Sequence, residues 1–403
     1  MTAADVRTIV AAHEHELIAM RRMLHSQPEL SGAEYVTTEM IAERLLVEGL
    51  QPVTLSSGTG LVCDIPLDAD ADLSGAPVVA LRADIDALAM EDRNDTPYRS
   101  QHAGIAHACG HDVHTAAVLG AGLALLELRR SAPRRGIVRL VFEPAEEVVP
   151  GGAIDVIGDG WIDGVRAIFG VHCDPKLDTG SLGLRVGALT SAADQFEVIL
   201  TGPGGHTARP QLTVDLVRWM GRVADRLSET ITRMTPQPVT VVLGAAHSGA
   251  AANVIPASAM LRGSFRTADR ETWLHGERLM AQALAEIVAK DGIGSPPTWR
   301  LDYTRGVPPV VNDAATTALA HRVATAMLGS DSVVDTPQSV GGDSFAWYLE
   351  RIPGTYIRLG THDPREDRER RDLHSATFDV DERAIAIGSA VLAGTALASV
   401  ATD

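Results

Sequence analysis

The chain has 403 residues, 45% of them hydrophobic, enough for two or three domains with sizeable cores. Its formal charge of −17 argues against nucleic acid or an anionic membrane as partner, and three cysteines (Cys63, Cys109, Cys173) cannot build a disulfide framework. Apolar stretches such as AAVLGAGLALLEL (116–128) fall short of a ~20-residue membrane span, and MTAADVRTIVAAHEHEL carries acids where a secretory leader needs a basic start, so a cytoplasmic location is expected.

In chain order, helical periodicity predicts helices over 4–26, 34–49 and 112–130, with strands at 61–67 (LVCDIPL), 77–85 (PVVALRADI), 136–144 (GIVRLVFEP) and 167–173 (AIFGVHC). These strands are apolar throughout, as buried parallel strands are. From about 193 the order becomes strand (QFEVILTG), helix (213–233), two strands (VTVVLGAA, AMLRGSFRT), helix (270–290) and strand (TWRLDYT). That βαββαβ order is the split unit of a ferredoxin-like layer. A helix over 313–328, a strand over 355–361 and a helix over 381–399 follow. The fold class is therefore α/β, with a discontinuous first domain (1–192 and 308–403) and an inserted satellite domain (193–307).

Four segments could carry chemistry. In HACGHDVH (107–114), Cys109 and His111 can place a thiolate and an imidazole on one metal, although a helix start capped by Asp112 or His114 reads equally simply. EPAEE (143–147) ends an apolar strand, where open α/β sheets bind their ligands. One of its glutamates could hold a cation while its neighbour takes a proton, and an acidic first helical turn is the plainer alternative. His172 in GVHCDP and His374 in RRDLHSATFDVDE stand at comparable ends, where lone histidines are commonly structural. Together, Cys109, His111, Glu147, His172 and His374 make the mixed donor set that two divalent ions need.

With RRMLHSQPELSGAE (21–34), ALRADIDAL (80–88), HACGHDVHTA, EPAEE, GVHCDP, GPGGHTARP (202–210), ANVIP (252–256) and DLHSATF (372–378), the chain resembles the peptidase M20 family, specifically its M20D amidohydrolases of the N-acyl-amino-acid and hippurate type. The resemblance implies a two-domain metallohydrolase in which Cys109 bridges two divalent ions, zinc or manganese with cobalt or nickel as further candidates. His111, Glu147, His172 and His374 would be the other ligands and Glu146 the general base acting on a water held by the ions. Arg82 would stand in a ligand's place, with Asp84 as a carboxylate supporting the ligands. His206 would reach the active site on domain closure to stabilise an oxyanion, and Asn253 and Arg266 would bind substrate. The implied substrates are N-acyl amino acids, small molecules cleaved at the amide bond, and the satellite's sheet edge offers a homodimer surface.

The chain departs from the family pattern at Gln211, at GGDSF (341–345), where a Glu-Asp pair before Phe is usual, and at Ala89, which replaces a proline. None of these positions is expected to touch a proposed ligand or the base, so they bear on substrate preference and on details of the pocket rather than on hydrolysis. His107 and His114 read as supporting or capping groups, Cys173 as pointing away from His172, and Cys63 as a small buried apolar residue. The alternatives are a dipeptidase or aminopeptidase of the same fold, a non-catalytic metal- or ligand-binding module, and a redox sensor built on Cys109.

Overall fold

The structure, a computed structural model, describes residues 3–290, 292–365 and 370–402, and it separates into two compact units. The first comprises 1–189, 311–337 and 344–403; the second comprises 190–310 and 338–343.

The first unit is built on an eight-stranded sheet in the order Val53–Thr54, Leu61–Pro66, Ile137–Glu143, Val78–Asp84, Val165–Asp178, Gly354–His362, Leu182–Leu184, Val333–Asp335. Its central strands are parallel, as their uniformly apolar sequences predict. Leu61–Pro66 is a correction: it pairs antiparallel with Ile137–Glu143, so the sheet is mixed. A fully buried strand looks the same in sequence whichever way it runs, because both of its faces are covered.

Helices Ala3–Ser26, His111–Ser131, Ala314–Leu328 and Arg383–Val400 pack on one another, and the last three also pack on the strands. Leu17, Leu24, Val113, Leu119, Phe169, Leu359 and Leu392 belong to one buried cluster. Arg383–Val400 is long and apolar enough to cross a membrane, with a mean hydropathy of 1.6, yet 67% of it is buried inside the protein as a core helix.

The second unit has the four-stranded antiparallel sheet Val239–Ser248, Ser258–Thr267, Ala192–Thr201, Thr298–Val307, which is the ferredoxin-like order. Helix Leu216–Met234 starts where the Asp215 side chain accepts the Arg218 amide, and it buries Leu216, Trp219, Val223, Leu227 and Ile231 at helical spacing. Each such side chain contributes about 1.5–3 kcal/mol. The helix predicted over 270–290 is broken into Arg270–Leu274 and Gly276–Lys290, with Asp269 capping the first piece.

Candidate metal centre

Strands Val78–Asp84 and Ile137–Glu143 run parallel and in register, so Asp84 lies beside Glu143 and both chains leave the sheet at the same end. Helix His111–Ser131 begins with Gly110 in the left-handed region (φ 90°) and with no side-chain cap. Neither Asp112 nor His114 caps the helix. Asp112 accepts from Arg21 Nε at 2.7 Å and lies 2.8 Å from His25 Nδ1. EPAEE does not open a helix either: the next one begins at Ala153, leaving Glu146 and Glu147 in a turn after Ala145, which has φ 55°.

His111 is oriented by Asp86, whose carbonyl and Oδ1 lie 2.9 and 3.1 Å from His111 Nδ1. That fixes the proton on Nδ1 and leaves Nε2 buried, with no hydrogen bond among the described residues. Nε2 faces Glu147 Oε1 at 3.8 Å and Glu146 Oε2 at 4.0 Å. The other Asp86 oxygen accepts the Glu147 amide (2.9 Å) and the Ser31 hydroxyl (2.7 Å), so a single carboxylate orients two candidate ligands.

Glu147 Oε1 stands 3.3 Å from His374 Nε2 and is itself buried without an aligned hydrogen bond among the described residues. His374 also lies in the left-handed region (φ 59°), and its amide donates to the Ala108 carbonyl at 2.7 Å, tying this loop to the one that carries Cys109. His172 lies within strand Val165–Asp178 and donates Nδ1–H to the Cys173 carbonyl at 2.7 Å, which turns Nε2 to 3.7 Å from Cys109 Sγ. The donor atoms of Cys109, Glu147 and His374 lie within 4.8 Å of one another, as do those of His111, Glu146 and Glu147.

Asp84, His111 and His114 form a third such group, with His111 Nε2 3.6 Å from Asp84 Oδ2, but the Asp84 and His114 atoms are already engaged. His114 Nδ1 lies 2.6 Å from Asp84 Oδ1 while its Nε2 accepts the Cys173 amide at 2.8 Å, and Arg82 Nη1 takes Asp84 Oδ2 at 2.6 Å. This set braces the site from below. Cys173 is buried under Gly110, and Cys63 lies in the core. His107 is buried with both ring nitrogens unpaired among the described residues, and burial pushes its pKa down to about 4.

Burial pushes the Cys109 thiol well above its usual range, and the Glu147 carboxylate adds to the effect. Burial opposes the charged form of His111, yet Asp84 and Cys109 outweigh it and hold its pKa well above normal. A thiol, three imidazoles and crowded carboxylates with unpaired buried atoms fit divalent ions of the borderline class.

The remaining expected residues belong to the second unit. His206 and Asn253 are exposed and adjoin one another: His206 pairs with Val254 in a two-stranded ribbon, and the Thr207 amide donates to the Asn253 carbonyl at 3.2 Å. Arg266 donates Nη1 to the Val340 carbonyl at 2.8 Å. Asp86 and Glu34 were not foreseen, and GGDSF is a correction: expected to touch neither ligand nor base, it brings the Ser344 amide to Glu146 Oε1 at 3.1 Å, because the chain folds back there beside the EPAEE turn. Glu34 Oε1 accepts the Ala145 amide (2.7 Å) and the Gly32 amide (2.9 Å), holding the turn that presents Glu146.

Residues 80–398 match Peptidase family M20/M25/M40. The chain belongs to this family. An M20 member is a metal-dependent hydrolase of amide bonds, and the assembled donors fit that chemistry. Among its relatives, N-acetyl-L-cysteine deacetylase of Bacillus subtilis (strain 168) is 38% identical over 92% of this chain and 85% of its own length. A protein of Rhodococcus jostii (strain RHA1) named for a glutamate–cysteine ligase is 41% identical over 93% of this chain, which spans only 46% of that longer protein. The crystal structure of the YXEP protein of Bacillus subtilis, described as a dinuclear metal binding peptidase from the M20 family, superposes with a TM-score of 0.83 at 32% identity, covering 98% of this chain and 100% of the other.

Proposed function

We propose that this M20 member is an amidohydrolase that releases the amino acid from N-acyl amino acids. The observation that carries the reading is Glu146: it lies beside the candidate ligands with Oε2 4.0 Å from His111 Nε2, and its Oε1 is held by the Ser344 amide at 3.1 Å. Two divalent ions, zinc or manganese with cobalt or nickel as further candidates, would be held by Cys109, His111, Glu147, His172 and His374, and would supply Lewis acidity and a lowered water pKa.

Glu146 accepts the proton of the attacking water and returns it to the leaving nitrogen as the C–N bond breaks, so that the products are a carboxylic acid and a neutral amine. Asp86 fixes His111 and Glu147, and Asp84 holds His114, whose ring adjoins those of His111 and His172. His206 is the proposed oxyanion donor, and Asn253 and Arg266 are the proposed contacts for the substrate's carboxylate. Free buried cysteines suit a reducing cytoplasm, and the edge strand Val239–Ser248 suits a homodimer.

The test is release of amino acid from N-acetyl, N-benzoyl and long-chain N-acyl amino acids and from free dipeptides, by enzyme stripped with chelator and reloaded with zinc or manganese. N-acetylcysteine belongs in the panel because a relative is named for its deacetylation. Capped substrates should be cleaved only by reloaded enzyme, and Glu146→Gln should lose kcat by 10²-fold or more, in the range of general base catalysis, while binding both ions. Cleavage of free dipeptides alone would make the protein a peptidase. Unchanged turnover in Glu146→Gln would remove the glutamate from its role.

A further inference from the structure

We infer that Ser344 is a positioning residue for Glu146, coupling it to a buried network around Arg82. This rests on the reading of Glu146 as general base.

Ser344 is fully buried, immediately before the short helix Phe345–Leu349. Its amide donates to Glu146 Oε1 at 3.1 Å. Its hydroxyl donates to Glu143 Oε1 and accepts from Arg82 Nη2 at 3.0 Å. Arg82 Nε donates to Glu143 Oε2 (2.6 Å) and Nη1 to Asp84 Oδ2 (2.6 Å), while the Tyr348 hydroxyl donates to Glu143 Oε2 (2.9 Å). On its other side Ser344 meets Gly151, at φ 90°, where a Cβ would come within 2.5 Å of Ser344 Cβ. With its side chain bound as both donor and acceptor and its Cβ backed by Gly151, the Ser344 amide has little room to swing.

A glutamate in a turn has several rotamers, and the observed one places Oε2 4.0 Å from His111 Nε2. An N–H fixed on Oε1 selects it, and hydrogen bonds that lock a reacting group in place act on kcat more than on substrate affinity. Serine suits the slot because a hydroxyl donates to one neighbour while accepting from another. An alanine does neither, and a carboxylate offers only acceptors against Glu143. Arg82 and Glu143, buried and paired, thus anchor the base through one small side chain.

The experiment compares wild type, Ser344→Ala, Ser344→Thr, Tyr348→Phe and Glu146→Gln, all metal-reloaded, on N-acetyl-L-cysteine and the fastest capped substrate of the panel. Ser344→Ala should lose kcat roughly tenfold, the size of one positioning hydrogen bond, with KM within about twofold and both ions retained. Ser344→Thr should recover most of that loss. Tyr348→Phe, which removes a different bond to Glu143 and leaves both Ser344 hydroxyl bonds in place, should lose clearly less kcat than Ser344→Ala. A folded Ser344→Ala with wild-type kcat would overturn the inference, as would an equal loss in Tyr348→Phe or a failure of threonine to rescue. Full activity in Glu146→Gln, or no cleavage by wild type, would instead overturn the reading on which the inference rests.

Discussion

Replacing Asp86 by asparagine keeps its shape and changes one atom from acceptor to donor. Asp86 accepts on both sides, from His111 Nδ1 at 3.1 Å on one oxygen and from the Glu147 amide and the Ser31 hydroxyl at 2.9 and 2.7 Å on the other. Asparagine offers a single acceptor, so one side must meet donor with donor. If its nitrogen faces Glu147, Ser31 can turn to accept but the backbone amide cannot. If it faces His111, the imidazole keeps only the Asp86 carbonyl. An unmade hydrogen bond at a buried site costs about 1–3 kcal/mol. At about 1.4 kcal/mol per decade this is roughly 10- to 100-fold in metal affinity, as found when a carboxylate behind a metal-bound histidine is lost. The measurement is zinc Kd by competition with a chromogenic chelator on apo-protein, with circular dichroism as the check on folding. A folded Asp86→Asn that binds both ions within about twofold of wild type would refute the bracing of His111 and Glu147 by this carboxylate.

Two further changes probe the scaffold. At Gly110, φ is 90° and a Cβ would stand 2.6 Å from Cys173 Sγ, so Gly110→Ala combines backbone strain with overpacking. It should cost about 2–5 kcal/mol and lower metal content, and a variant with wild-type Tm and two bound ions would contradict this. Asp92 is buried, accepts the Asn94 and Ser100 amides at 2.9 Å each, and faces His25 Nε2 at 3.4 Å. Burial opposes its ionisation, but His25 and those amides outweigh it and hold the carboxyl well below the usual range. A depressed carboxylate stabilises fully above its unfolded pKa, near pH 4, and loses that contribution as the pH falls. His25, whose pKa is raised, behaves oppositely: its stabilisation is complete below about pH 6.5 and fades as the pH climbs. Asp92→Asn should therefore cost about 2 kcal/mol near neutrality and progressively less below pH 4. Thermal melts across pH would show a constant gap if the carboxylate's charge were irrelevant.

The elements were legible because their periodicities are strong. Leu216–Met234 has its stripe and its capping aspartate, and the strand cores are continuous apolar runs. Strand direction at Leu61–Pro66 was not legible, nor was the break at His275, where no proline announces it. In the site, the histidines, Cys109 and the EPAEE glutamates stood out by residue type, and the structure gathers them from four separate segments. The residues that orient them stayed hidden. Asp86 could have been suspected, since it stands two residues after Asp84 past a strand end, a pattern that places two carboxylates close together. Glu34 could not, because it acts on a partner more than a hundred residues away through a contact no local pattern encodes, and Ser344 stood out in GGDSF only as a departure from the family pattern, with nothing local to tie it to Glu146.

The interrupted connectivity of the first unit has a consequence for synthesis. Strand Val165–Asp178 has Gly354–His362 as one of its neighbours, and helix Arg383–Val400 covers helices made hundreds of residues earlier. A ribosome adding roughly 5–20 residues per second leaves that central strand with a bare edge for on the order of ten to thirty seconds. The whole of 190–310 emerges in the interval and closes its own sheet meanwhile. The nascent chain therefore carries a closed satellite sheet while the apolar sheet of the first unit is still half open, and that waiting edge is where chaperones or self-association would engage it.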